Sequence, residues 1–275
     1  MSGRSVLITG CSSGIGLDAA QGMRARGWRV FAACRREEDC TRLREDGFES
    51  PLIDYHDEAT ITAGLQKVLE ATGGTLDAVF NNGAFAIPGA VEDLPTGALR
   101  SIFEANVFGW HELTRQVIPV MRRQGNGRIV QNSSILGFIP MPWRGAYVST
   151  KFALEGLSDT LRIEMRGTGV HVILIEPGPI TSKFRQNAIP HFERWIDWKG
   201  SARKEQYEAV MHRLYEDRGQ DRFELPSSAV TKKLIHALEA PRPRPRYYVT
   251  TPTYLMGALK RVLPTRALDW LISKG

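Results

Sequence analysis

Cysteine is scarce in this sequence, and the cysteines that occur form no metal or disulfide pattern. The three, at positions 11, 34 and 40, include no Cys-x-x-Cys pair and have no histidine nearby at a metal-ligand spacing. An odd number crowded near one end does not build a disulfide framework. We therefore predict reduced thiols, no metal site and a cytoplasmic protein.

Long apolar runs are also missing. The run at residues 6–8 is too short for a signal-peptide core and leads into a glycine turn, and the run at residues 170–175 is far shorter than a membrane span of about 20 residues. The sequence thus predicts neither export nor a transmembrane segment.

The net charge of +6 is not accompanied by the aromatic residues of a base-stacking surface. Arginines cluster at residues 24–36 and 242–266 without interleaved aromatics. Such charge suits a protein that binds a phosphate-rich cofactor. We expect no nucleic-acid partner.

Short apolar segments alternate with helical stretches, which predicts βαβ units around a parallel sheet. With no linker or repeat, we expect one doubly wound α/β domain over residues 1–275, with helices on both faces. We expect the segment 184–221 to leave the sheet and cover the substrate, although ordinary helical padding explains it equally well. A C-terminal extension is expected at 251–275. Seven strands are predicted, at residues 5–8, 29–33, 51–53, 76–80, 128–130, 170–175 and 247–249.

A glycine turn follows the first strand and opens a helix, the context of a dinucleotide site. Gly10 permits the tight turn, Gly14 lets the backbone approach a pyrophosphate, and Gly16 lets the helix pack closely. Ser12, Ser13 and Ile15 belong to the same loop, and the helix N-terminus attracts negative charge.

The residues at the end of the second strand indicate which cofactor is bound, because NAD enzymes place a carboxylate there to bind the ribose 2′-hydroxyl. Here Arg35 and Arg36 occupy that position and suit a 2′-phosphate, so NADP(H) is expected in preference to NAD(H). The acidic run 37–39 leaves a shifted register open. Asp54, followed by Tyr55, ends the third predicted strand, where it either binds the adenine amino group or caps the next helix.

Further polar residues follow the later strands at the edge where such sheets bind ligands. Asn82 and Gly83 follow the fourth strand, and Ser134 follows the fifth, either to bind a substrate carbonyl or to cap a helix. Tyr147 and Lys151 are four residues apart and share a helix face. An ammonium at ~4 Å would lower a phenol pKa by about three units, enough for acid/base work at neutral pH.

Together these residues resemble the short-chain dehydrogenases/reductases, in their compact single-domain branch. The resemblance implies hydride transfer between a nicotinamide and a carbonyl or alcohol, with Tyr147 moving the proton, Ser134 steadying the oxygen and Lys151 also holding the nicotinamide ribose. Asn106 would position a water next to Lys151. The family's Asn-Asn-Ala-Gly is Asn-Asn-Gly-Ala here. The segment expected to hold the carboxamide is Pro177, Gly178, Pro179, Ile180 and Thr181.

The tail resembles the subgroup similar to 17β-hydroxysteroid and retinol dehydrogenases, which implies a bulky apolar alcohol or ketone and a homodimer or homotetramer. The basic segment 255–271 leaves peripheral membrane contact open, but a packed helix pair is favoured. Alternatives are a 3-oxoacyl thioester reductase, an NADP(H)-sensing module, and a lyase or isomerase on the same scaffold. The candidate substrate residues are Phe85, Phe138, Met141, Trp143 and Phe184.

Overall fold

A single parallel sheet organises the protein. The computed structural model describes residues 3–216 and 222–274, and within them six strands lie in the order β2-β1-β3-β4-β5-β6. The strands are β1 (Ser5–Thr9), β2 (Arg29–Ala33), β3 (Ala78–Asn81), β4 (Gly127–Asn132), β5 (Val170–Glu176) and β6 (Arg246–Tyr248). The helices are α1 (Gly14–Ala25), α2 (Glu37–Glu45), α3 (Glu58–Thr72), α4 (Thr96–Phe103), α5 (Gly109–Gln124), α6 (Gly145–Glu164), α7 (Phe184–Trp195), α8 (Lys204–Tyr215), α9 (Ser228–Glu239), α10 (Thr251–Val262) and α11 (Thr265–Ser273).

The sheet is buried on both faces, which explains its nearly continuous apolar strands. Successive residues of a strand point to opposite faces. Along β1, Val6 and Ile8 belong to one hydrophobic core and Leu7 to the other. The predicted α/β Rossmann-type fold is therefore confirmed, with helices covering both faces.

The predicted strand at residues 51–53 is wrong. This segment runs beside β2 with a few hydrogen bonds, including Ile53 N to Cys34 O at 2.8 Å, but it forms only isolated bridges. Pro51 has no amide hydrogen, so it cannot donate to a ladder. The sheet consequently has six strands within the described residues, and its last strand begins at Arg246, one residue earlier than predicted.

The helical stretch 96–124 contains an irregularity that its sequence does not reveal. A π-helical turn, Glu104–Phe108, joins α4 to α5. Pro119, where we expect a kink or bend, lies inside α5, and the helix continues to Gln124 before Gly125 at φ 71° ends it. π-Turns of this kind occur often at functional sites.

The two predicted additions to the sheet are helical where they are described. The segment from residue 184 forms α7 and α8, and the end of its predicted range, 217–221, lies outside the described residues. The tail forms α10 and α11, in which Thr253, Gly257 and Leu268 are buried. Over the described ranges, no helix combines the length and apolarity that crossing a membrane requires. In the same ranges, no His, Cys, Asp and Glu side chains gather into a group that could hold a metal.

Candidate active site

The glycine turn forms a cradle that side chains would fill. Gly10 and Gly14 have φ values of 68° and 58°, a conformation that favours glycine. A Cβ on Gly16 would lie 2.3 Å from the Gly10 carbonyl oxygen, so only glycine lets α1 approach the turn. Ser13 precedes α1 without a side-chain cap, and the Ser12 carbonyl accepts a hydrogen bond from Arg42 at 2.9 Å. Ile15 packs on the core beneath the turn.

Thr9 connects this turn to the ends of the neighbouring strands. Its hydroxyl accepts hydrogen bonds from the amides of Asn82 and Gly83, at 2.9 and 3.2 Å. The Asn82 side chain donates to the Thr9 carbonyl at 3.0 Å and accepts from Asn132 at 2.8 Å. The two amides after β3 and β4 thus bridge β1, β3 and β4, as the strand-end pattern predicts.

Tyr55, predicted to bind cofactor, is placed differently. Its side chain is buried, and its hydroxyl donates to Asn81 Oδ1 at 2.7 Å and lies 2.8 Å from Thr9 Oγ1. Burial raises its pKa well above the usual range. The tyrosine side chain therefore supports the loop from below, and only its backbone remains for a ligand.

Arg35 and Arg36 are exposed at the end of β2. Two of the three acidic residues that follow them are engaged elsewhere, with Glu37 paired to Arg44 and Asp39 to Arg42, each at 2.8 Å. Glu38 is exposed at the start of α2.

Asp54 does not cap α3, because Asp57 is the residue that accepts from the Ala59 amide at 2.9 Å. Asp54 instead accepts from the His56 amide at 3.0 Å, and its side-chain contact with His56 lowers the carboxyl pKa. The helix-cap alternative is thus wrong for this carboxylate.

Ser134 and Tyr147 meet at the end of β4. The Ser134 hydroxyl is close enough to the Tyr147 phenol to lower the phenol pKa, and Ser134 Oγ accepts a hydrogen bond from the Leu136 amide at 3.1 Å, at the start of the 3-10 turn Ile135–Gly137. The helix-capping role of Ser134 is therefore observed, and its role toward a substrate carbonyl stays a prediction. Tyr147 is buried on the first turns of α6, and burial raises its pKa above its usual range, with the Ser134 hydrogen bond opposing.

Lys151 lies one turn further along α6 and is almost fully buried. Its ammonium donates to the Asn132 carbonyl at 2.8 Å and lies 5.5 Å from the Tyr147 ring centroid. Burial lowers the Lys151 pKa to about 7, while the charge of Glu155 raises it. The expected depression of the Tyr147 pKa by Lys151 is not observed, because this ammonium bonds a carbonyl and burial dominates both groups.

Trp110 is a site residue that the sequence concealed. Its ring lies 4.1 Å from the Lys151 ammonium, in cation–π geometry, and its indole N–H donates to the Gly83 carbonyl at 2.7 Å. In the sequence it is one apolar position of a helical packing stripe, so no local signal distinguishes it from core.

Asn106 belongs to the π-turn and is fully buried. Its amide group pairs with the backbone of Phe85, accepting from the N–H at 3.2 Å and donating to the carbonyl at 2.9 Å, and it lies 3.4 Å from Thr150 Oγ1. Asn106 thus links the segment after β3 to α6, next to Lys151, without touching the ammonium. A role in holding a water there stays a prediction.

The segment after β5 is held mainly by backbone contacts. The Thr181 amide donates to the Leu225 carbonyl at 2.9 Å, so this N–H, expected to hold a carboxamide, is already engaged. The Pro177 carbonyl accepts from Ile135 at 2.8 Å. A Cβ on Gly178 would lie 2.1 Å from Thr250 Oγ1, and Ile180 bridges to Leu225.

Only part of the predicted substrate set lies near the tyrosine. Phe184, at the start of α7, packs edge-on to Tyr147 with ring centroids 5.3 Å apart. Phe85 is buried in the core and stacked on His191 of α7, with ring centroids 4.0 Å apart, and its contact with a substrate stays a prediction. Trp143 packs on Tyr207 at 4.9 Å, Phe138 stacks on Tyr248 at 5.5 Å, and Met141 is exposed.

Comparison with known proteins agrees with this site. The family model for short chain dehydrogenase matches residues 4–192, which is most of the chain. The chain belongs to the short-chain dehydrogenase family. Members are oxidoreductases of CH–OH and C=O groups that use a nicotinamide cofactor, so this chain is such an enzyme.

Relatives with high coverage include the uncharacterized oxidoreductase YbbO of Escherichia coli, which is 38% identical over 98% of this chain and 94% of its own length. Human 17-beta-hydroxysteroid dehydrogenase type 1 is 31% identical over 89% of this chain and 77% of its own length. Human retinol dehydrogenase 16 is 32% identical over 96% of this chain and 86% of its own length. The hydroxysteroid- and retinol-dehydrogenase-like resemblance is thereby confirmed.

Solved structures of the family share the fold. A short-chain dehydrogenase from Streptomyces avermitilis superposes with a TM-score of 0.78 at 27% identity, covering 99% of this chain and 97% of its own. An actinorhodin polyketide ketoreductase with NADPH superposes with a TM-score of 0.71 at 26% identity, covering 90% of this chain and 95% of its own. A Burkholderia phymatum family member in complex with NAD has a TM-score of 0.78 at 24% identity, covering 95% and 92%.

Proposed function

We propose that this protein transfers a hydride between NADP(H) and the carbonyl or alcohol carbon of a bulky apolar substrate of steroid, retinoid or long-chain type. The observation that carries the proposal is the meeting of Ser134 and Tyr147 beside Lys151, at the carboxyl edge of the sheet next to the glycine turn. Ligands bind at this edge in sheets of this kind.

The chain's residues fit a dinucleotide. Gly10, Gly14 and Gly16 leave a backbone cradle at the N-terminus of α1, where unpaired amides and the helix dipole favour a pyrophosphate. When bound, the nicotinamide supplies the hydride donor or acceptor. We expect Lys151 to hold the nicotinamide ribose, and the residues after β5, apart from the engaged Thr181 amide, to hold the carboxamide.

Tyr147 is the group that moves the proton. Its raised pKa keeps the phenol protonated at neutral pH, so it donates a proton to the oxygen of a substrate being reduced. We expect Ser134, which lies close to the phenol, to hold the same oxygen. In the opposite direction the tyrosinate needs a neighbouring positive charge, and Lys151 is the buried cation on the same helix.

Arg35 and Arg36 support the choice of NADP(H). Both are exposed at the end of β2, and the carboxylates of Glu37 and Asp39, which would repel a 2′-phosphate, are paired with other arginines. Guanidinium groups bind phosphate with two parallel hydrogen bonds.

An apolar substrate is supported by the surroundings of Tyr147. Phe184 stands against its ring, and α7 continues from this contact to the stack of His191 on Phe85. The relatives named for steroid and retinol chemistry point to the same substrate class. The aromatic residues of the segment 184–221 and the tail at 251–275 count against a 3-oxoacyl thioester reductase, and an NADP(H) sensor has no use for Ser134, Tyr147 and Lys151 together.

Apolar side chains exposed on the helices around the site support a homodimer or homotetramer. Phe108 is exposed on the π-turn, and Phe152, Leu157 and Ile163 are exposed along α6. The cytoplasm remains the predicted location.

Cofactor preference and turnover test the proposal together. We expect NADPH to bind more tightly than NADH in a fluorescence titration, and apolar ketones and aldehydes to oxidise NADPH at the nicotinamide absorbance band. Arg35→Ala should weaken NADPH binding roughly 10- to 100-fold, because a charge-assisted hydrogen bond contributes about 1.5–3 kcal/mol, and should leave NADH binding unchanged.

Arg123→Ala, an exposed arginine near the end of α5, is the matched control. Equal loss of NADPH binding in both variants, or equal affinity of the unmodified protein for the two nucleotides, would contradict the NADP(H) assignment. No turnover with any carbonyl compound would contradict the substrate class.

A further inference from the structure

A cluster of buried charges lies behind Lys151, on the side away from Tyr147. Arg246, the first residue of β6, donates through one guanidinium nitrogen to the carboxylates of Glu155 on α6 and Glu176 at the end of β5. The second terminal nitrogen of the Arg246 guanidinium donates to Asp159 at 2.7 Å. Glu176 is fully buried and Glu155 nearly so, whereas Asp159 is partly exposed. One cation therefore holds three carboxylates.

The charges in this cluster do not balance if all the carboxyl groups ionise. Burial and the neighbouring Glu155 raise the pKa of Glu176 to about 8, so at neutral pH it retains its proton. Burial also raises the pKa of Glu155, but the neighbouring Arg246 favours its ionised form. With Glu176 protonated, Arg246 acts mainly on Glu155, the buried carboxyl group one helical turn from Lys151, and favours its ionised form.

Glu155 is connected to the site through one helix face and one turn. Tyr147, Lys151 and Glu155 follow each other at four-residue intervals on α6, a spacing that places them on the same side of the helix. The charge of Glu155 acts directly on Lys151. Glu155 also lies against the turn that begins at Ser134, since a Cβ on Gly137 would approach its Oε1 to 2.9 Å.

We propose that Glu155 is a positioning residue that keeps the buried Lys151 ammonium charged, and that Arg246 locks its carboxylate behind the lysine. Lys151 is otherwise surrounded by the Trp110 ring, the Tyr147 ring and the Asn132 carbonyl, none of which carries a negative charge. Without Glu155, burial would drive the lysine toward its neutral form. The inference rests on the proposed role of Lys151 in oxidoreduction.

Other groups facing Glu155 act on it more weakly or are engaged elsewhere. The Ser133 hydroxyl approaches it from the end of β4, and the Lys260 ammonium, which donates to the Phe138 carbonyl, approaches from α10. Asp159 is paired with Arg162 as well as with Arg246. The Ser133 hydroxyl and the Lys260 ammonium stay unchanged in every variant of the test, and Asp159 is changed only in the control.

The direct test is the titration of Lys151 itself, followed by the ¹³Cε resonance of labelled lysines in the cofactor-free protein. Exposed lysines have a pKa near 10.4, so the resonance of a lysine that titrates near neutral pH is easily distinguished from theirs. Its absence from the spectrum of Lys151→Met assigns it to Lys151. We expect Glu155→Gln to move this titration to lower pH by at least about one unit, because two charges one helical turn apart interact that strongly in a protein interior. Glu155→Asp should restore part of the shift.

Asp159→Asn is the matched control, because it removes a carboxylate from the same arginine but lies one helical turn further from Lys151 than Glu155 does. An unchanged Lys151 titration in Glu155→Gln, or an equal shift in Asp159→Asn, would overturn the proposal. A merely structural role for Glu155 would lower the melting temperature without moving this titration.

Turnover separates this inference from the proposed function. In Glu155→Gln, the alkaline limb of kcat should move to lower pH by the same amount as the lysine titration, while NADPH affinity at pH 6 stays within about threefold. If the unmodified protein reduces no carbonyl compound, the proposed function fails. If it does and the alkaline limb of Glu155→Gln is unchanged, only the role of Glu155 fails.

Discussion

The glycine turn and the tyrosine helix perform neighbouring tasks by opposite physical means. The turn after β1 works because side chains are missing, so that the backbone of Gly10 and the start of α1 come close together. The first half of α6 works because large charged and aromatic side chains are buried, with Lys151 between the Trp110 ring and the Asn132 carbonyl. Steric space governs the first region, and the balance of buried charge governs the second.

This difference determines how each region responds to change. A glycine cradle tolerates a change of pH but no added atom. A buried ammonium tolerates small steric changes but depends on the protonation of its neighbours, because the low dielectric of the interior strengthens every interaction between charges.

The largest effect should come from removing the phenol of the tyrosine helix. Tyr147→Phe should lower kcat by roughly 10²–10⁴-fold, the contribution of a positioned acid or base, and leave NADPH affinity nearly unchanged. Steady-state kinetics and cofactor titration measure the two quantities. The control is Tyr247→Phe, which removes another buried hydroxyl, bonded to His236 and to the Arg244 amide at 2.9 Å each. Turnover retained in Tyr147→Phe would remove this residue from the mechanism.

A single methyl group should disable the glycine turn. Gly16→Ala would place a Cβ 2.3 Å from the Gly10 carbonyl oxygen and 2.8 Å from the side-chain nitrogen of Asn82, and the Gly10 backbone cannot move aside as a side chain can. We expect NADPH affinity to fall at least about tenfold and stability to fall by about 1–3 kcal/mol, as overpacking usually costs.

Gly22→Ala on the same helix is the comparison for this variant, because its Cβ would meet the Thr231 methyl group, away from the turn. It should lose stability and keep NADPH affinity, measured by denaturant unfolding and fluorescence titration. Equal affinity in Gly16→Ala and the unmodified protein would show that the turn does not hold the nucleotide.

The smallest expected effect is a change in the pH dependence of stability. We expect it from the buried carboxyl group of Glu176 near α6 and not from the glycine turn. The pKa of Glu176 in the folded protein, about 8, lies above its ordinary value of 4.5. Between these pH values the folded state binds the extra proton, so this group lowers stability as pH rises toward 8. Glu176→Gln removes that component.

The difference in unfolding free energy between Glu176→Gln and the unmodified protein should therefore shift in favour of the variant by roughly 1–3 kcal/mol from pH 5 to pH 8. Urea unfolding at several pH values measures it, and the difference removes the opposing contribution of Lys151, which both proteins share. Glu49→Gln, in an exposed pair with Arg29, provides the control. Parallel pH profiles would show that Glu176 ionises like an exposed carboxyl group.

Local sequence was sufficient wherever the determining contacts are close along the chain. The glycine spacing, the apolar strands and the four-residue interval between Tyr147 and Lys151 predict the cradle, the sheet and the shared helix face, because each depends on backbone geometry within a few residues. The strand expected at 51–53 fails for a related reason: apolar composition indicates burial, but a proline within it removes a donor that the ladder needs.

By itself, the sequence determined the fold and the family, and it predicted the residues that carry the chemistry. Tertiary structure alone decided the surroundings of those residues. It raises the pKa of Tyr147 and gives the Lys151 ammonium a carbonyl partner. It also buries Phe85 in the core and pairs the Thr181 amide with the Leu225 carbonyl. It also brought Arg246 to Glu155, 91 residues away along the chain. The physical reason is that burial and charge pairing depend on which distant segments exclude water from a side chain, and no local pattern encodes that environment.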